Sequence, residues 1–205
     1  MICQNAAPFA ALALMIASAA PCSAQTFDTR ASAAYVLDYS TGVVLLEKNA
    51  DDPLPPASMS KLMTLYMAFE AINPLNGQDP FLTVDDVLPV SQHCMDYTGS
   101  TMFLDTTDRV RVEDLLRGII VLSGNDASCV IAEALSRNGT EAGFAQQMTV
   151  RAQQMGMMNS SFANSNGWPA AGNQMTMRDL GMLADRLITD YPTYYPLFAE
   201  QEFNY

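Results

Sequence analysis

Hydrophobic positions along this chain change period several times, and each change marks an element. Residues 34–37 and 43–46 are β-rich runs separated by Ser40-Thr41-Gly42, which predicts a hairpin. Pro53, Pro55 and Pro56 then deny helix and strand alike and hold the chain extended up to Ser58. From Ser58 the period is helical: Leu62, Leu65, Tyr66 and Phe69 fall at i, i+3, i+4 and i+7, with Met59, Met63 and Met67 as a second ridge. A helix buried nearly all round is expected there, ended by Asn73-Pro74. Residues 81–108 read as short strand-like pieces and loops. Residues 112–122 and 127–135 are helical in period and flank a polar elbow, Ser123-Gly124-Asn125-Asp126. Further helices are predicted over 141–155 and 177–188, with a Gly- and Asn-rich loop over 159–173 between them.

Residues 1–24 differ from everything after them. They carry no charged side chain, contain an apolar run over 8–20, and end in Cys22-Ser23-Ala24, small residues that suit an export cleavage before Gln25. Such a run is too short to cross a bilayer core of about 30 Å, so it reads as a signal peptide, although residues 1–5 lack the usual Lys or Arg. The remaining 25–205 read as one domain or part of one, and export from the cytoplasm is its expected fate.

A formal net charge of -12 argues against nucleic acid as a partner, because phosphate binding needs clustered Lys and Arg. Removal of the leader would leave two cysteines, Cys94 and Cys129. With the lone His93 they make no metal-ligand spacing, and the apolar setting of Cys129 favours a buried free thiol, a single disulfide remaining open.

Ser58-Met59-Ser60-Lys61 sets a hydroxyl and an amine three residues apart at the start of a helix, on one face. A serine hydroxyl becomes nucleophilic when a base removes its proton, and a desolvated lysine can be that base. With two lysines and fourteen serines in 205 residues, chance supplies about 0.14 such pairs, so spacing alone leaves room for a helix cap and a solvated lysine. The neighbours decide. Lys61 sits among Met59, Leu62, Met63 and Leu65 with no acidic residue three or four positions away, which suits a desolvated base. Ser123-Gly124-Asn125 interrupts an apolar helical region, where unpartnered polar groups would cost roughly 1–3 kcal/mol each, so these side chains are expected to face a cleft. A second Ser-x-Asn, Ser136-Arg137-Asn138, merely ends a helix before Gly139.

Ser-x-x-Lys followed by Ser-x-Asn belongs to the motif set of penicillin-recognising serine enzymes. The stretches Pro56-Ala57-Ser58-Met59-Ser60-Lys61-Leu62-Met63-Thr64 and Leu122-Ser123-Gly124-Asn125-Asp126-Ala127 resemble the D-alanyl-D-alanine carboxypeptidases, the low-molecular-mass penicillin-binding proteins. The likeness covers nearly the whole exported part, including the leading hairpin, Phe162-Ala163-Asn164 and Tyr195-Pro196-Leu197-Phe198. It implies an α+β fold of the β-lactamase/DD-peptidase type, an antiparallel sheet with a helical lobe and the site at their junction. It further implies that Ser58 attacks the bond between the terminal D-alanines of a peptidoglycan stem peptide, with Lys61 as base, Ser123 as proton relay and Asn125 as substrate-binding residue. β-Lactams would acylate the same serine, and no metal or organic cofactor is implied. Asn166 and Trp168 border the site in relatives, but read from the residues alone they are loop or core filler.

The family's third motif, Lys-[Thr/Ser]-Gly, does not occur in the 205 residues. The reading is that the chain is truncated before it, which would leave the hairpin short of sheet partners and remove a C-terminal domain and membrane-associating tail. Two alternatives stand beside the carboxypeptidase. A class A β-lactamase would call for Ser-Asp-Asn, where Gly124 stands, and a deacylating glutamate soon afterwards. A non-catalytic product would only bind wall peptides.

Overall fold

Asp38 organises the first turn. Its Oδ1 accepts from the Ser40 N–H (2.9 Å), the Thr41 N–H (3.2 Å) and the Ser40 hydroxyl (2.7 Å). The computed structural model describes residues 29–205, so the predicted leader at 1–24 lies outside the described residues. The hairpin pairs β1 (Ala34–Leu37) with β2 (Val44–Lys48) antiparallel, Ala34 opposite Lys48 and Tyr35 opposite Glu47. The second strand runs later than the predicted 43–46. Val43 is used by the turn, its carbonyl accepting from Asp38 N–H at 2.9 Å, and the ladder continues through polar Glu47 and Lys48, which alternating hydrophobicity does not mark.

α1 (Lys61–Ile72) runs through the core, with Met63, Leu65, Tyr66, Ala68 and Phe69 fully buried. It packs against α3 (Val112–Leu122), α4 (Asn125–Leu135), α5 (Glu141–Gln154) and α6 (Met177–Asp190). Two details depart from the predicted helix. It does not start at Ser58, because residues Ala57–Ser60 form a 3-10 turn; and it is not buried all round, since Met59 on that turn is 41% exposed and Leu62 and Met67 are only half-buried.

The polar elbow is shorter than expected. Only Ser123 and Gly124 separate α3 from α4, because Asn125 and Asp126 form the first turn of the second helix. Buried Asp126 explains this: its carboxylate accepts from Ala127 N–H (2.8 Å), favourable at a helix N-terminus, and from the N–H groups of Met102 and Leu104 (3.0 and 3.1 Å), which pins the preceding loop.

Between α1 and α3 lie β3 (Val87–Pro89), the one-turn α2 (Gln92–Met95) and β4 (Arg109–Arg111), which pairs antiparallel with β3. Among the described residues the strands make two separate two-stranded ribbons beside a helical lobe. Cys94 on α2 and Cys129 on α4 are joined in a disulfide, with Cα atoms 5.3 Å apart. The expected free thiol at Cys129 is thereby corrected. Both residues are buried, but α2 is too short for its period to reveal that Cys94 faces inward.

The hairpin docks on α6. Gly181 leaves room for the Tyr35 ring, which a Cβ would approach to 2.7 Å, and Arg178 stands 5.2 Å from that ring's centroid while bonding Asp51 (2.8 Å) and Glu47. Among the described residues no helix is long and apolar enough to cross a membrane.

Candidate active site

Ala57 enters the site with a left-handed φ of +48°, and the 3-10 turn follows. Such a turn has three residues per turn, so side chains at i and i+3 eclipse. Ser58 Oγ and Lys61 Nζ accordingly meet at 3.1 Å. Gly167 holds this turn from above. A Cβ there would lie 1.8 Å from the Ala57 carbonyl oxygen, and its φ of +81° is itself unfavourable for other residues, so only glycine allows the approach.

Lys61 is 3% exposed, and its amine donates to three acceptors: Ser58 Oγ, Asn125 Oδ1 at 2.8 Å and the Asn166 carbonyl at 2.9 Å. None of the three carries charge. Burial therefore lowers the amine's pKa from 10.5 to about 8. At pH 7 roughly one molecule in ten then holds a neutral amine, against about one in three thousand for an ordinary lysine.

Asn125 is buried at the start of α4 and is fixed on both sides. Its side-chain amide donates to the Thr98 carbonyl (2.8 Å) and its backbone N–H to the Ser100 carbonyl (2.8 Å), which turns Oδ1 toward Lys61. Ser123 caps α3 with left-handed φ +56° and ψ +36°; among the described residues its hydroxyl makes no hydrogen bond. Three of the four predicted site residues thus share one network, and Ser123 stands two residues away from it. The other Ser-x-Asn is spent on a surface turn, where Asn138 Oδ1 accepts from Ser136 Oγ (2.7 Å) and Thr140 Oγ1 (2.8 Å).

Asn166 was missed from the residues alone. It is not filler: its carbonyl is a partner of Lys61, and its own Oδ1 accepts from Trp168 N–H at 2.9 Å. No side-chain pattern could have revealed a backbone acceptor. Trp168 is not core either. It is 43% exposed and meets Tyr97 edge-on, with His93, Asp96 and Thr98 completing a cleft of about 240 Å³ next to the carbonyl that holds Asn125. A larger groove of about 720 Å³, lined by Met67, Glu70, Arg151 and Arg186 among others, contains none of the residues bonded to Lys61. His93, Cys129 and Glu133 cluster within 4.8 Å, but the Cys129 sulfur is committed to its disulfide, which leaves two donors where a zinc site uses at least three.

Comparison with known proteins matches residues 18–205 to the D-alanyl-D-alanine carboxypeptidase family. The chain belongs to that family. The D-alanyl-D-alanine carboxypeptidase DacC of Escherichia coli is 35% identical over 179 residues, covering 83% of this chain and 42% of its own length. DacF of Bacillus subtilis, another carboxypeptidase of that name, is 34% identical over 158 residues, covering 77% and 39%. Among solved structures, penicillin binding protein 6B from Escherichia coli superposes with a TM-score of 0.81 at 31% identity, over 90% of this chain and 58% of that one. The expected α+β DD-peptidase fold is therefore present. This carboxypeptidase-family chain spans about two fifths of the length of the two curated relatives.

Proposed function

We propose that the protein is a serine-type D-alanyl-D-alanine carboxypeptidase of peptidoglycan remodelling, with Ser58 as nucleophile and Lys61 as its base. The observation that carries the reading is a buried amine, poised near neutrality without a carboxylate, 3.1 Å from a serine hydroxyl. In its neutral form Lys61 takes the Ser58 proton as Oγ attacks the carbonyl carbon between the two terminal D-alanines. The tetrahedral adduct then expels the terminal D-alanine, whose amine collects a proton through Ser123. An acyl-enzyme ester on Ser58 remains, and water hydrolyses it with the same base. Asn125 orients Lys61 and binds the substrate's peptide portion. β-Lactams enter by the same attack, their ring amide opening onto Ser58.

Family membership supports a location outside the cytoplasm, and the Cys94–Cys129 disulfide adds to it, since such bonds persist in oxidising compartments. Intact-mass analysis after exposure to benzylpenicillin tests the assignment. One adduct is expected on the full-length protein and none on Ser58→Ala; labelling that survives Ser58→Ala refutes the nucleophile. Fast turnover of the penicillin with no lasting adduct would instead favour a β-lactamase.

A further inference from the structure

Glu141, the first residue of α5, is 5% exposed despite its place at a helix end. Its carboxylate is fully engaged. Oε1 accepts from the Ser165 N–H (3.0 Å) and hydroxyl (2.5 Å), and Oε2 accepts from the Tyr97 hydroxyl (2.7 Å) and lies 2.8 Å from His93 Nε2. The bland account is a helix cap, favoured by the dipole. That account fails here, because Thr140 Oγ1 already caps α5 by accepting from Gly143 N–H at 3.1 Å, and every partner of the Glu141 carboxylate lies outside α5.

Those partners have neighbours in common with Lys61. Ser165 precedes Asn166, whose carbonyl accepts from the amine, and the Ser165 carbonyl is held in turn by Thr64 Oγ1 of α1 at 2.6 Å. Tyr97 precedes Thr98, whose carbonyl aligns the Asn125 amide so that Oδ1 meets the same amine. Residues 96–101 and 163–168 are irregular backbone, without a helix or ladder to set the direction of their carbonyls. One buried carboxylate on α5 bonds both segments, and Thr64 adds a hold on the second.

We infer that Glu141 is a positioning residue for Lys61, holding from one carboxylate the two loops that present the amine's acceptors. The inference rests on the reading of Lys61 as the base for Ser58. Burial, and Glu141 itself, push the Tyr97 phenol well above its ordinary pKa, so it stays a donor at working pH. The titratable groups bonded to Glu141 are His93 and Tyr97, and Lys61 meets only neutral acceptors.

The test uses the full-length protein and two readouts, the titration of the Lys61 Cε protons by NMR and the pH profile of Ser58 acylation by a fluorescent penicillin. In Glu141→Gln an amide hydrogen faces Tyr97, so that branch loosens and water reaches the amine. The Lys61 pKa is expected to climb from about 8 by roughly one unit, with acylation about tenfold slower at pH 7 and restored near pH 10. Glu141→Asp should fall between. A merely structural glutamate would lower the melting temperature and leave both profiles in place. Ser165→Ala and Tyr97→Phe each remove one hydrogen bond and keep the carboxylate, so they decide the matter if Glu141→Gln does not fold. An unchanged Lys61 titration and acid limb in a folded Glu141→Gln, or in both milder variants, overturns the inference. Absence of acylation in the wild type would instead sink the parent reading, and the Lys61 titration would still report whether Glu141 positions the amine.

Discussion

Lys61 Nζ and Asn125 Oδ1 stand 2.8 Å apart across 64 positions of sequence. This contact ties the start of α1 to the start of α4 and, together with the Asn166 carbonyl, occupies two directions around the amine. A neutral amine has two hydrogens and one lone pair. With both hydrogens given to these oxygens, the lone pair is left facing Ser58 Oγ, the direction a base requires.

Acylation should depend on pH through this amine. Only neutral Lys61 can accept the Ser58 proton, so the rate is expected to rise about tenfold per pH unit below about 8 and to level off above it. Stopped-flow acylation between pH 5.5 and 10 checks this. A profile that stays flat through this range would point away from Lys61 as the base.

Asn125→Asp places a carboxylate where a neutral oxygen stood. The negative charge should stabilise the protonated amine and raise its pKa, slowing acylation at pH 7 by about ten- to a hundredfold while moving the acid limb upward. Asn125→Ala should slow the reaction without that upward movement of the limb beyond what added solvation causes. Parallel pH profiles of the two variants separate charge from lost contact.

Gly167→Ala should disable the site while sparing the lobe. The added methyl overlaps the Ala57 carbonyl, so the 3-10 turn carrying Ser58 must shift. Displacement of a nucleophile by about 1 Å costs on the order of 100-fold in rate. Acylation kinetics read the loss, and circular dichroism should report retained helix content.

Removing the disulfide in Cys94→Ala/Cys129→Ala should lower stability by about 2–4 kcal/mol, since the bond closes a loop of 35 residues in the unfolded chain. Urea denaturation measures the difference. The acylation rate should change little where the double variant remains folded, because neither sulfur bonds a site residue.

Helices α3, α5 and α6 were legible because each carries a long apolar stripe, and the Ser58–Lys61 pair was legible because a fixed spacing along one turn needs no tertiary knowledge. What escaped was built from backbone and from distance. The Asn166 carbonyl contributes through main-chain direction, which residue identity does not encode. Glu141 carries no local signal, because Tyr97 and Ser165 come to it from elsewhere in the chain. Cys94 lies on a helix of four residues, too short for any periodicity to report its inward face.

The Cys94–Cys129 bond also has a topological consequence. It makes residues 94–129 a covalent ring that encloses β4, α3, Ser123 and Asn125. A single proteolytic cut within the ring would open it without releasing a fragment, and each severed end would stay attached to the helix that bears its cysteine. Damage in the exposed turns of this ring is thus converted from loss of a piece into a local flaw.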